Sequence, residues 1–245
     1  MRGLVWSVAV IGFVSSSFVP QHSSSSSLRC TSIGSSTTSA VTKMSPTVTV
    51  RLAEETDDLE RVTGILNAAY QEGETGILVD TPENPLERAT REEVLGFCRN
   101  QQLLVLLVDQ LVMGCVKVEA PLPSQDDDGD DDDASAVVIG EWGCLALAKE
   151  SQGKGYGRVL VKAAESHIFQ KCAVCQLELL APSKWKHQHK ERLREWYLRM
   201  GYNLRIPNDY DASTMTLPQG STLGQRFVLA TDGDFTSYHK PRPSE

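Results

Sequence analysis

Polar and apolar positions fall into short stretches with two different periods. Thr47-Val-Thr-Val-Arg-Leu52 alternates, which predicts a first strand. Leu59, Val62, Ile65 and Leu66 come next at the spacing of one helical face, with Asp57 or Asp58 placed to cap the first turn. Residues 71–89 contain Gly73, Gly76, Pro82 and Pro85 and predict a loop. Thr90-Arg-Glu-Glu93 has the capping-box pattern and opens a second short helix toward Asn100. Leu103–Val108 and Leu111–Glu119 predict two strands about an Asp109-Gln110 turn.

After a polar interruption, Val137–Leu147 predicts a buried strand, with a glycine-rich turn directly after it. A helix then runs to about Phe169, carrying Leu160, Ala163, Ala164, His167 and Ile168 at helical spacing. Val174–Leu180 predicts another strand. Lys190–Met200 predicts a helix whose apolar side is Leu193, Trp196 and Met200, and short strands end the chain. This mixture predicts an α/β (α+β) fold in which residues 45–245 form one domain, without an internal repeat or a membrane-length apolar run.

The turn Gln152-Gly-Lys-Gly-Tyr-Gly-Arg158 is the strongest chemical signal. Glycine lets the backbone approach a ligand, and the first N–H groups of a helix have no internal partners, so the segment is laid out to hold a pyrophosphate. Its spacing is neither the Walker pattern nor the dinucleotide fingerprint G-x-G-x-x-G. A glycine-rich turn with no ligand is the bland alternative.

The segment has the form Gln-x-x-Gly-x-Gly, and so resembles the pyrophosphate loop of the GCN5-related N-acetyltransferase (GNAT) family. Upstream, Glu141-Trp-Gly-Cys-Leu-Ala-Leu147 is similar to that family's central strand. Downstream, Trp196-Tyr-Leu-Arg-Met-Gly-Tyr202 is similar to its late Tyr-x-x-x-Gly-Phe/Tyr signature. The resemblance spans roughly residues 47–206 in element order. It implies a mixed, mainly antiparallel sheet flanked by helices, and acetyl-CoA-dependent transfer of an acetyl group to a primary amine in a ternary complex. It further implies that backbone groups of Leu145, Ala146 and Leu147 hold the pantetheine arm. Gln152, Gly153, Lys154, Gly155, Tyr156, Gly157 and Arg158 would hold the pyrophosphate, with Lys154 or Arg158 adding charge at the rim.

By the same resemblance Tyr197, four residues before Gly201, is the proton donor to the departing thiolate, the alternative being that it only packs beneath the cofactor. Glu141, eleven residues before Gln152, stands in the register of a general base. His187 and His189 are alternative bases. Strict alternation would place Glu141 on one face with Gly143 and Leu145. The chain departs from the family at Lys190, where many members carry an asparagine. Lys184, Lys186 and Lys190 could instead reach the cofactor's phosphates or an acidic group on the substrate. The acceptor, a small amine or a peptide or protein amine, is not encoded in any motif, although residues 71–89 and the terminal strands should govern its selection. The rival from another class is a catalytically silent CoA-binding module that uses an acidic loop for partner binding.

Charge qualifies this picture. With 24 basic and 32 acidic residues the net charge is −8, which disfavours a nucleic-acid surface. No Asp or Glu precedes Glu54, so loss of residues 1–44 would leave 21 basic against 32 acidic residues, or −11. Residues 1–17 have a signal-peptide pattern: Arg2, an apolar run from Leu4 to Val14, and small residues Ser15 and Ser17. Phe18–Lys43 is Ser/Thr-rich and acid-free, which is transit-peptide composition, and the two in series resemble the bipartite presequence of a complex plastid. Secretion and mitochondrial import are the alternatives. The insertion at residues 121–135 holds seven aspartates between Asp126 and Asp133 and is expected to be a solvated loop, since it lacks the alternating ligands and closing Glu of a calcium loop. Six scattered cysteines suit a core better than a disulfide framework. Cys172 and Cys175 have neither a second pair nor a histidine at zinc-finger distance, so no metal is expected.

Overall fold

The computed structural model describes residues 46–83, 85–121, 137–204, 214–224 and 226–244. The predicted presequence and the acidic run Asp126–Asp133 lie outside the described residues. The elements are, in order, β1 (Val48–Leu52), α1 (Leu59–Gly73), α2 (Arg91–Arg99), β2 (Leu103–Val108), β3 (Leu111–Glu119), β4 (Ile139–Leu147), a single 3₁₀ turn (Lys149–Ser151), α3 (Tyr156–Ile168), β5 (Val174–Pro182), α4 (Gln188–Arg199), β6 (Thr214–Leu217), β7 (Thr222–Leu223), β8 (Phe227–Val228) and β9 (Gly233–Pro241).

Local chemistry accounts for most boundaries. Asp58 caps α1, accepting from the Arg61 N–H, while Asp57 instead takes the Arg51 guanidinium at 2.6 Å. α1 continues to Gly73, so the loop begins three residues later than predicted. Thr90 and Glu93 form the complete capping box of α2. Asp109 and Gln110 both have positive φ, 49° and 70°, as the two-residue turn between β2 and β3 requires. The buried residues of α4 are Lys190, Leu193 and Tyr197; Trp196 and Met200 only flank the core.

Seven strands form one sheet in the order β1-β2-β3-β4-β5-β9-β6, antiparallel except for β4 beside β5. α1 and α2 cover one face with Val62, Leu66, Tyr70 and Val94. α3 and α4 cover the other, burying Leu160, Val161, Ile168 and Leu193 against Trp142, Leu145 and Leu177. Burial of such side chains contributes about 1.5–3 kcal/mol each, so this packing fixes where β4 can lie. The segment after α1 is tied to the C-terminal hairpin: Val79 N–H donates to Val228 O and Ala230 N–H to Ile77 O. Arg88 lies over the rings of Tyr70 and Phe227, at 5.1 and 5.6 Å. No helix among the described residues is long and apolar enough to cross a membrane.

β4 is irregular in two respects. Cys115 on β3 faces Ala146, but Lys117 already faces Gly143, so two β4 residues oppose the single Val116. This is a bulge, and Cys144 adopts φ 51° to make it. Consequently Leu145 packs with Trp142, toward α3 and α4, while Cys144 and Ala146 face α1. Simple alternation therefore misplaces Leu145: it does not share a face with Glu141 and Gly143. The second irregularity is that β4 and β5 pair only at Ile139–Val174, Gly140–Cys175 and Glu141–Gln176 before parting.

Candidate functional site

Beyond Glu141, the edge of β4 that faces β5 has no ladder partner, in the middle of a sheet. Backbone N–H and C=O groups left this way need another polar partner. Leu145, Ala146 and Leu147 lie on this stretch, between the bulge and the chain's exit toward α3.

From Leu147 the chain makes the 3₁₀ turn and enters the glycine segment. Gly153 and Gly155 have φ of 72° and 83°, and a Cβ at either would meet no atom within 4 Å, so backbone conformation and not crowding selects glycine there. Gly155 is the N-cap of α3, and Arg158 and Val159 are the first residues to donate back, both to Gly155 O. The N–H groups of Tyr156 and Gly157 thus have no intrahelical acceptor and the positive end of α3 points out of the loop. Lys154 and Arg158 are exposed beside it. Gln152 turns inward, its amide donating to Leu147 O at 3.5 Å. Between this loop and α1 lies a cavity of about 350 Å³ lined by Ile65, Ala69, Leu147, Ala148 and Gln152.

Tyr197 stands on α4, wholly buried among Trp142, Trp196, Tyr202 and Tyr238, with ring centroids 5.3–6.4 Å away. Its hydroxyl has no hydrogen-bond partner among the described residues. Burial, then the Glu74 carboxylate, pushes its ionisation well above the ordinary phenol range. The neighbouring Tyr202 is differently engaged: its hydroxyl takes the Trp142 indole N–H at 2.6 Å and contacts Cys175 Sγ at 3.4 Å.

Glu141 occupies the last paired position before the strands part, opposite Glu119 on β3 and Gln176 on β5. It is 5% exposed and its Oε1 has no hydrogen-bond partner among the described residues. Burial, then Glu178 and Glu119, raises its carboxyl well above the usual range. Glu178 is raised to about 7, chiefly by burial. The pattern Val174–Leu180 carried a hint of this residue: Gln176 and Glu178 are its polar positions, on the face opposite Cys175, Leu177 and Leu179.

The basic connection before α4 is less available than its sequence implies. Lys184 pairs with Asp232 at 2.6 Å. Lys190 does not reach outward to a phosphate: it is wholly buried and ion-paired with Glu74, equally buried at the end of α1. His187 caps α4, its Nδ1 accepting the Lys190 N–H at 3.4 Å, and its ring lies 5.4 Å from that of Trp185, tilted by 40°. His189 is held down to about 3 by burial and by Lys190. Both histidines line a second cavity, of about 360 Å³, between α1 and α4. Glu74 gave no signal in the sequence, because its partner is 116 positions away.

Residues 99–204 match the family profile of the acetyltransferase (GNAT) domain. The fold is similar to a GNAT-family acetyltransferase from Streptococcus agalactiae 2603, at 14% identity and TM-score 0.50, over 80% of this chain and 96% of that one. It is similar also to an N-acetyltransferase from Staphylococcus aureus Mu50, at 14% identity and TM-score 0.51, over 80% and 98% of the two chains. A third likeness is to the ribosomal-protein-alanine N-acetyltransferase of Brucella melitensis, at 17% identity and TM-score 0.50, over 79% and 99%. No curated protein matches the chain by sequence. Residues 99–204 thus carry the profile of a GNAT acetyltransferase domain, and the chain has the GNAT fold.

The buried pair gives a stability test. Lys190→Met strands the Glu74 carboxylate without its partner and should cost about 3–5 kcal/mol in urea unfolding. Adding Glu74→Gln should recover much of that loss; equal stability of Lys190→Met and the unaltered protein would show that the pair is not formed in solution.

Proposed function

We propose that the chain moves the acetyl group of acetyl-CoA to a primary amine by direct attack in a ternary complex. The observation that carries this reading is the continuity of one polar track, from the open edge of β4 through its bulge to the left-handed glycines at the start of α3. The residues present fit the cofactor. Gly153 and Gly155 leave open space where a side chain would stand, the first N–H groups of α3 suit a pyrophosphate, and Lys154 and Arg158 supply cations beside it. The backbone of Leu145, Ala146 and Leu147 is the matching partner for the amides of a pantetheine arm.

In this reading the acceptor amine loses a proton to Glu141, whose raised carboxyl is a stronger base than an ordinary glutamate once it is ionised. The C–N bond then forms as the C–S bond breaks, and the sulfur takes the Tyr197 phenolic proton. A fully buried phenol that is hard to ionise remains a proton donor across the working pH range. Acceptors of both kinds, small amines and peptide amines, suit a protein that is acidic overall. Residues 1–44 are proposed to direct the protein to a plastid by way of the secretory route. A reporter fused after residue 44 should enter that route and continue beyond it; diffuse cytosolic signal would sink the targeting proposal, and arrest in the medium would indicate secretion.

Gly155→Asp places a β-carbon in left-handed backbone and a negative charge beside the pyrophosphate, so acetyl-CoA affinity by calorimetry should fall at least about tenfold. Undiminished affinity in a folded variant would remove the loop from the binding site. Tyr197→Phe should lower kcat by roughly ten- to a thousandfold with little change in acetyl-CoA affinity. Glu141→Gln should lower turnover and move the rising limb of the rate profile to higher pH, because the free amine would then have to form from the ammonium without help. A wild-type rate in Tyr197→Phe, where chemistry limits, would make that residue a packing element; an unshifted profile in Glu141→Gln would pass the base role to another group. Thiol release from acetyl-CoA on an amine panel separates an enzyme from a silent CoA-binding module.

A further inference from the structure

α1 carries a cation where helix physics does not ask for one. Arg61 lies in its first turn, at the positive end of the helix dipole, where a basic side chain is mildly unfavourable. Three contacts nevertheless fix it: Nε donates to Val112 O at 2.6 Å, and Nη2 reaches Glu150 Oε1 at 3.0 Å and Met113 Sδ at 3.4 Å. Nη1 has no hydrogen-bond partner among the described residues. The Arg61–Glu150 pair is open to solvent, its side chains 29% and 59% exposed, and a pair of this kind contributes little to stability. Glu150 stands two residues before Gln152, beside the N–H groups laid out for an anion, which it opposes. Its own backbone N–H, then Arg61 and Lys154, hold its carboxyl below the ordinary range, so it is ionised at neutral pH.

Arg61 and Glu150 both line the cavity of about 350 Å³ between α1 and the glycine loop. Gly64 and Ala68 continue the Arg61 side of α1 along the same cavity. Gly64 sits in the interior of the helix, where glycine is less stable than alanine. A Cβ there would meet no atom within 4 Å, and its backbone is ordinary helix, so neither crowding nor conformation selects glycine. What the missing side chain preserves is room in the cavity.

We propose that Arg61 is a further cofactor-binding residue, which releases Glu150 and takes a phosphate of acetyl-CoA as the cofactor enters the groove past Gly64 and Ala68. The proposal rests on the reading of the glycine segment as the pyrophosphate loop. Lys154 and Arg158 supply cations from the loop side, and Arg61 supplies one from the facing wall. A guanidinium anchored through Nε presents its outer N–H groups as a fork that matches phosphate oxygens, and such charge-assisted contacts are stronger than an exposed carboxylate pair.

The test measures binding to the full chain by calorimetry, with the melting temperature followed in parallel. Arg61→Met should weaken CoA binding about ten- to a hundredfold, the loss of one charge-assisted contact, and change pantetheine binding, which involves no phosphate, by less than about twofold. Glu150→Gln should act in the opposite direction and strengthen CoA binding about threefold, because the cation is no longer shared. That variant gives a reading even if Arg61→Met does not fold. Gly64→Leu should raise the melting temperature, as helix propensity requires, and yet weaken CoA binding about tenfold by filling the groove. With 3′-dephospho-CoA, an equal loss in Arg61→Met would assign Arg61 to the pyrophosphate, and a loss confined to CoA would assign it to the 3′-phosphate; either supports the proposal. CoA and pantetheine affinities that fall by the same factor in folded Arg61→Met, or do not fall at all, would overturn it, as would unchanged or weaker CoA binding in Glu150→Gln. Gly155→Asp keeps the two readings apart: full affinity there removes the loop itself, whereas lost affinity there with an indifferent Arg61→Met removes Arg61 alone.

Discussion

Two parallel strands that share three residue pairs and then part leave hydrogen-bonding groups bare in the interior of a sheet. The rest of the molecule is arranged around that opening. β3 keeps β4 in place on its closed side, and β9 does the same for β5. Such an opening would be costly if nothing polar entered it, since an unpaired buried backbone group loses roughly 1–3 kcal/mol of solvation. An extended ligand rich in amides is the kind of molecule that relieves this cost, and so the defect in the sheet and the chemistry of the proposed co-substrate answer one another.

The bulge at Cys144 is the second half of the same device. A non-glycine residue at φ 51° is uncommon, and such strain tends to be kept where it does something. Here it turns Leu145 toward α3 and α4 while Ala146 still faces α1, so the β4 backbone is rotated just before it enters the glycine loop. Gly114, opposite this stretch, has Ala146 O 2.8 Å from where its Cβ would be, so the neighbouring strand is shaped to accept the distortion.

Legibility in the sequence divides along physical lines. Features set by neighbouring residues were legible: the Thr90–Glu93 capping box, the Asp109-Gln110 turn and the glycine run all appear where the pattern puts them. The order of strands and helices was legible as well, because two- and 3.6-residue periods depend only on which side of an element is buried. Features set by contacts between distant segments were not. Nothing in Trp142-Gly-Cys-Leu says that Cys144 and not Gly143 will take the left-handed conformation, and one such shift reverses the facing of Leu145. Lys190 looked like a surface cation because its partner is Glu74, in a stretch that read as loop. Glu178 was visible as a polar position in a strand, but its raised ionisation depends on burial that only the assembled sheet provides.

The placement of acid and base groups is a consequence of the same opening. Glu141 and Glu178 belong to the face of the sheet that looks toward α1 and the segment after it, and burial keeps both above the ordinary carboxylate range. Tyr197 belongs to the opposite face, under α4. An unbroken sheet would keep these groups apart by its full thickness. Where β4 and β5 diverge, a base on one face and an acid on the other can serve a single reacting centre lying between them. In the proposed reaction this separates the two proton transfers in space: the amine gives up its proton on the α1 side, and the sulfur receives one on the α4 side. A change in the buried Glu74–Lys190 pair would reach Glu141 only indirectly, since Glu141 owes its raised ionisation first to burial and then to Glu178 and Glu119.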